Sequence, residues 1–108
     1  MTRVESSATL GFPDVLLAKN GRFVLLELKV LPTGNRPLIS PHQVAFHTSH
    51  ADMPVYMLIS VGEGKGRRLF LYPGVDVLKL ATEGVRACAP KFEAPDNPEG
   101  WVDVANAL

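Results

Sequence analysis

An α/β (α+β) fold, with a mixed central β-sheet of about four strands flanked by helices, is what the pattern of this 108-residue chain predicts. Three observations carry it. Two apolar, strand-like runs, 14–19 (DVLLAK) and 22–30 (RFVLLELKV), meet at Asn20-Gly21, the strongest short-range hairpin signal, because both central residues of a type I′ turn need φ > 0. A helical segment then opens at Ser40-Pro41. After it, VYMLISV (55–61) is a nearly continuous apolar run, as expected of a strand covered on both faces.

Each element can be justified in chain order. Residues 2–9 suit either a short helix or an extended lead-in. In the hairpin that follows, a two-residue turn at Asn20-Gly21 sets Lys19 against Arg22 and Asp14 against Glu27. The second strand presents Val24, Leu26, Leu28 and Val30 on one face. Its other face carries Phe23 and Leu25, then turns charged at Glu27 and Lys29. LPTGNRP (31–37) is a polar, turn-rich loop. Ser40 as N-cap and Pro41 at the first helical position open a helix that runs to about residue 50, and Met53-Pro54 closes it. GEGKG (62–66) is a glycine-rich turn joining the apolar strand to another at 68–72. Pro73-Gly74 breaks that strand, and a helix over about 75–81 ends at Gly84. The remainder, 85–108, is a proline-rich tail with a short helix after Asn97-Pro98 and Trp101 as an anchor. The chain reads as a single domain, 1–108, with its core over about 3–84 and no internal repeat.

Composition narrows the function classes. A hydrophobic content of 46% in 108 residues suits one modest core. No apolar run approaches the roughly 20 residues that span a bilayer. MTRVESSATLGF lacks the apolar stretch of a secretory signal. Cys88 stands alone and so can form no internal disulfide, which makes a cytoplasmic location the expectation; its thiol reads as a small apolar filler. Eleven Lys+Arg against eleven Asp+Glu give no net charge, which does not by itself favour a nucleic-acid binder. Locally the balance differs. Lys65, Arg67 and Arg68 cluster at the tip of a hairpin, Arg3, Lys19, Arg22 and Lys29 lie near the Asp14–Glu27 pair, and the acidic residues Glu93, Asp96, Glu99 and Asp103 concentrate in the tail.

The facing carboxylates are the chemical feature. Directly opposed residues have Cβ atoms roughly 4.5–5.5 Å apart, so Asp14 and Glu27 would repel each other unless something positive sat between them. A divalent metal would remove the conflict. Lys29, two residues beyond Glu27, points to the same face and adds positive charge. Sites in mixed α/β sheets often lie at such an end, outside the core but close to it.

Gly11-Phe12-Pro13-Asp14 followed by Glu27-Leu28-Lys29 resembles the two half-motifs of the PD-(D/E)xK nuclease superfamily. With Ser40-Pro41-His42-Gln43 opening the next helix, the match is closest to its small phage-type and VRR-NUC-like members, and it covers about residues 3–62. The resemblance implies a minimal restriction-endonuclease-like core and a divalent-metal-dependent DNA endonuclease. Asp14, Glu27 and the Leu28 carbonyl would ligate Mg²⁺ or Mn²⁺, ions that take hard oxygen ligands and retain waters. The metal would lower the pKa of a bound water. Lys29 would orient or help deprotonate that water. Gln43 would hydrogen-bond near the site from the helix N-terminus, where unused N–H groups also favour phosphate. Glu5, in Arg3-Val4-Glu5, would join the site from upstream. Lys65, Arg67, Arg68 and His42 are the candidate phosphate contacts. Branched or flapped DNA, a Holliday junction resolvase-like role and a homodimer fit a nuclease of this size, since such small nucleases often act as dimers on junctions.

The alternatives come from other classes. A non-catalytic nucleic-acid-binding or scaffold module with a nuclease-like fold would explain the neutral charge. A small metal-binding domain acting on another phosphate ester is a third reading. Gln43, His47 and His50 share one helix face, but no Cys or carboxylate partners stand at zinc spacing. The two histidines therefore read as partly buried or surface polar residues. Phe46, Met57, Phe70 and Trp101 read as core.

Overall fold

Asn20 and Gly21 adopt φ of 51° and 78°, the left-handed values a type I′ turn requires. The chain folds back in the register read from the sequence, from Lys19↔Arg22 to Val15↔Leu26. The computed structural model describes residues 15–108 and, as a short strand, Thr2–Arg3. Its elements are β1 (Thr2–Arg3), β2 (Val15–Lys19), β3 (Arg22–Leu31), α1 (Pro41–Ser49), β4 (Val55–Val61), β5 (Arg68–Pro73), α2 (Val77–Glu83), β6 (Phe92–Pro95) and α3 (Pro98–Ala107). Short 3₁₀ turns stand at Gly64–Gly66, Gly74–Asp76 and Val85–Ala87.

The strands form one mixed sheet in chain order, β1-β2-β3-β4-β5-β6. Every neighbouring pair is antiparallel except β3 and β4, which run parallel with α1 as the crossover. Six strands replace the four expected. β1 is two residues long, too short to leave a periodic signal. β6 ends on Pro95 and follows Pro90, and those prolines made the segment read as tail. Proline is tolerated there because β6 is an edge strand, where a missing N–H costs no ladder bond.

The helices begin and end as local chemistry dictates. Ser40 caps α1, with Pro41 following. The helix expected over 75–81 is preceded by the 3₁₀ turn and occupies Val77–Glu83, and Gly84 ends it at φ 92°. Asn97 caps α3, its side chain accepting from the Gly100 N–H at 2.8 Å.

Strand alternation sends side chains to two cores. On one face Val15, Val24, Leu26, Tyr56, Leu58, Leu69, Leu71 and Ala94 pack with Val104 and Leu108, so the 85–108 segment supplies both a strand and the helix that covers this face. On the other, Leu31, Met57, Ile59 and Tyr72 pack with Val77 and Leu80 of α2, and with Ile39 and Val44 beside and within α1. No helix among the described residues is long and apolar enough to cross a membrane.

Candidate active site

Glu27 and Lys29 lie on the α1–α2 face, in register with Met57 and Ile59 of β4. Glu27 is only 2% exposed, in a strand position that a valine could have filled. Withdrawing a carboxylate from water is costly, and such groups persist where a positive or hydrogen-bonding neighbour compensates. Lys29, one step nearer the end of the strand, is half-buried. Asp14 and Glu5, the other carboxylates expected at the site, lie outside the described residues, as do Gly11 and Pro13. Val15, however, stands opposite Leu26 in the register from which the sequence sets Asp14 against Glu27.

The parallel β3–β4 pair decides where the remaining candidates gather. Leu31 pairs with Val61, and the Gly62 N–H donates to the Leu31 carbonyl at 3.0 Å. The glycine-rich turn carrying Lys65 therefore starts beside the end of β3. The loop after β3 delivers the N-terminus of α1 to the same end, bringing His42 and Gln43 with it. In open α/β sheets ligands bind outside the carboxyl ends of parallel strands, and Lys29, Lys65, His42 and Gln43 share that end here.

The individual side chains differ in how far they are committed. Gln43 Oε1 accepts the Ser40 N–H at 3.0 Å while Ser40 Oγ accepts the Gln43 N–H at 3.2 Å, a reciprocal capping box. This leaves the Gln43 amide nitrogen to donate toward a ligand. The Ser-x-x-Gln spacing that resembled a nuclease motif is thus also a helix-start signal. His42 and Lys65 are exposed, and neither forms an ion pair among the described residues. Arg67 and Arg68 are less available. Arg67 Nε lies 3.7 Å from Asp96, and Arg68 Nε 3.9 Å from Glu93. Lys19 and Arg22, expected near the site, serve α3 instead. Lys19 Nζ donates to the carbonyls of Ala105 and Asn106 at 2.7 and 2.8 Å, and Arg22 to that of Leu108 at 3.0 Å. The hairpin holding them is about 23 Å from Lys29 along β3.

Two polar groups that pattern reading missed complete the picture. Asp96 accepts the Ser60 hydroxyl at 2.6 Å and the Trp101 indole N–H at 2.9 Å. The Ser60 bond, with Trp101 and the nearby Arg67 adding, holds its carboxyl below the usual range against the opposing effect of burial. The signal available for it was Ser60, a hydroxyl inside an otherwise apolar strand. His47, expected at least partly exposed, is fully buried, and neither ring nitrogen has a hydrogen-bond partner among the described residues. It sits against Gly74, where a Cβ would come within 3.1 Å of Nδ1. Burial, with the His50 charge adding, brings its pKa down to about 4. His50, by contrast, places Nδ1 2.7 Å from the Phe46 carbonyl, and its ring stacks on that of Phe46.

Among the described residues no group of three or more His, Cys, Asp or Glu side chains converges to hold a metal. Of the metal ligands expected from the sequence, the Glu27 carboxylate and the Leu28 carbonyl lie among the described residues, and both are the hard oxygen donors such a cation takes. No family model, curated protein or solved structure matches this chain.

Proposed function

We propose that the chain is a divalent-metal-dependent endonuclease hydrolysing DNA phosphodiesters, a small member of the PD-(D/E)xK nuclease superfamily. The observation that carries this reading is the near-complete burial of Glu27, two residues from Lys29 on one sheet face, in the second strand of a hairpin paired from Lys19↔Arg22 to Val15↔Leu26. Glu27 and the Leu28 carbonyl would hold Mg²⁺ or Mn²⁺ together with Asp14 and Glu5. When bound, the ion supplies an acidified water and charge neutralisation. Lys29 would orient the attacking water and offset phosphate charge. The Gln43 side-chain nitrogen and the His42 backbone N–H would donate to phosphate oxygens, since Pro41 has no N–H and that of Gln43 is held by Ser40 Oγ. Lys65 and His42 would be the principal backbone contacts, with Arg67 and Arg68 secondary because carboxylates already lie beside them.

The carboxylates beside both arginines, together with zero net charge, favour the second reading, a nucleic-acid-binding or scaffold module without catalysis. Incubation with linear, flapped and four-way-junction DNA in Mg²⁺, Mn²⁺ or EDTA separates the two. Cutting that needs metal and disappears in Glu27→Gln and Lys29→Ala, with both variants folded, is the expected result. Binding without cutting, from folded protein with either metal, would move the assignment to the module.

A further inference from the structure

The α1–α2 side of the sheet also holds a cleft of about 450 Å³ that the proposed chemistry does not use. Gly34, Val61, Phe70, Val85, Arg86 and Glu93 are among the residues that line it. The walls are set before any ligand arrives. The Val85 N–H donates to the Asn35 carbonyl and the Arg86 N–H to Asn35 Oδ1, both at 2.8 Å, while Asn35 Nδ2 donates to the Glu83 carbonyl at 3.0 Å. Gly84 lies inside this clasp at φ 92°, and a Cβ there would run into Asn35. The loop leaving β3 is thus tied to the segment leaving α2, and the cleft lies between them.

Its position follows from the register. Lys29 pairs with Ile59, Ile59 with Phe70, and Phe70 with Glu93. Phe70 therefore stands in the same cross-strand row as Lys29, two strands away, about 10 Å at ordinary strand spacing. Its chemistry has three parts. Phe70, expected as core, is half-buried and gives an aromatic wall. Arg86 is an exposed guanidinium with no ion pair among the described residues. Glu93, half-exposed and only loosely paired with Arg68, keeps acceptor capacity. An apolar slot with a guanidinium on one side and a carboxylate on the other matches a nucleotide, whose base has flat apolar faces, whose phosphate suits arginine, and whose amino or hydroxyl groups donate.

We propose that this cleft takes one unpaired nucleotide of a single-stranded DNA segment beside the cleavage site. The inference rests on the nuclease reading and adds to it a subsite that continuous duplex would leave empty. The test is a titration of the full chain in EDTA with dTMP, dAMP and a five-residue oligothymidylate, following backbone amide resonances. The expected result is shifts centred on Gly34, Val85 and Arg86, with affinity lowered about tenfold or more in Phe70→Leu and in Arg86→Gln. No shift at these amides, shifts confined to the Lys65 turn, or equal affinity in both variants would overturn it. Melting temperatures of the variants report whether they fold, and for a misfolded variant the wild-type shift map decides. A wild type that binds the oligonucleotide at these amides but cuts no DNA keeps the cleft and removes the nuclease reading. One that cuts with metal while these amides stay still does the reverse.

Discussion

On the α3 side of the sheet, polar side chains serve the packing. Asp96 gathers the Ser60 hydroxyl, the Trp101 indole and the Arg67 guanidinium, and Lys19 and Arg22 satisfy the last carbonyls of α3. On the α1–α2 side, Glu27 and His47 are withdrawn from water in the midst of an apolar core, His47 without a hydrogen-bond partner among the described residues. The first arrangement stabilises. In the second, the unpartnered nitrogens of His47 are stability left unclaimed, and a fold gives that up where a site needs particular groups in particular places. On the proposed reading, the contrast gives scaffold to one face and chemistry to the other.

The largest effect that can break this comparison is on activity. Lys29→Met should lower metal-dependent DNA cleavage by about 10²–10⁴-fold, the range of a positioned proton-transfer group, with little change in melting temperature. A variant that cleaves normally would remove Lys29 from the chemistry. Next in size is the scaffold side. Asp96→Ala should cost about 2–3 kcal/mol in urea unfolding, because charge-assisted hydrogen bonds to Ser60 and Trp101 are lost together. The same group predicts acid behaviour. Its folded pKa is depressed, so its contribution is present above the ordinary value of 3.8 and lost as pH falls through the lower folded value.

The third prediction belongs to His47. Its folded pKa of about 4 lies below the ordinary 6.5, so the unfolded chain takes up the proton first. Stability should be full above pH 6.5 and should fall between there and about pH 4. His47→Leu should flatten that slope and leave neutral-pH stability unchanged or higher by about 1 kcal/mol, since it removes two unpartnered nitrogens. An unchanged pH slope in this variant would place the acid sensitivity elsewhere. The smallest effect should come from Arg68→Ala. It breaks an exposed pair with Glu93 at 3.9 Å and should shift stability by under about 0.5 kcal/mol.

Local signals fixed much of the frame. Asn20-Gly21 set the hairpin register to the residue, because only one two-residue turn satisfies both left-handed positions. Ser40-Pro41 placed the start of α1, and the unbroken apolar run placed β4 at the centre of the sheet. β6 was hidden because an edge strand tolerates the prolines that argue against a central one. The Asp96 cluster joins Ser60 to a residue 36 positions away, which no local pattern encodes. His47 recurs with Gln43 and His50 on one helix face, and periodicity alone could not say that the ring turns into the sheet beside Gly74. Of the carboxylate pair, the Glu27 half is placed on the site face by the strand's alternation.

The account stands most directly on one paired measurement, DNA cleavage by Glu27→Gln and by Asp96→Ala, each assayed at a temperature where it is folded. Glu27→Gln should be folded and inactive. Asp96→Ala should be less stable yet cut DNA at close to the parent rate. Activity that survives in Glu27→Gln, or that falls in both variants only as their folded fraction falls, would contradict the division of the sheet into a scaffold face and a chemical face.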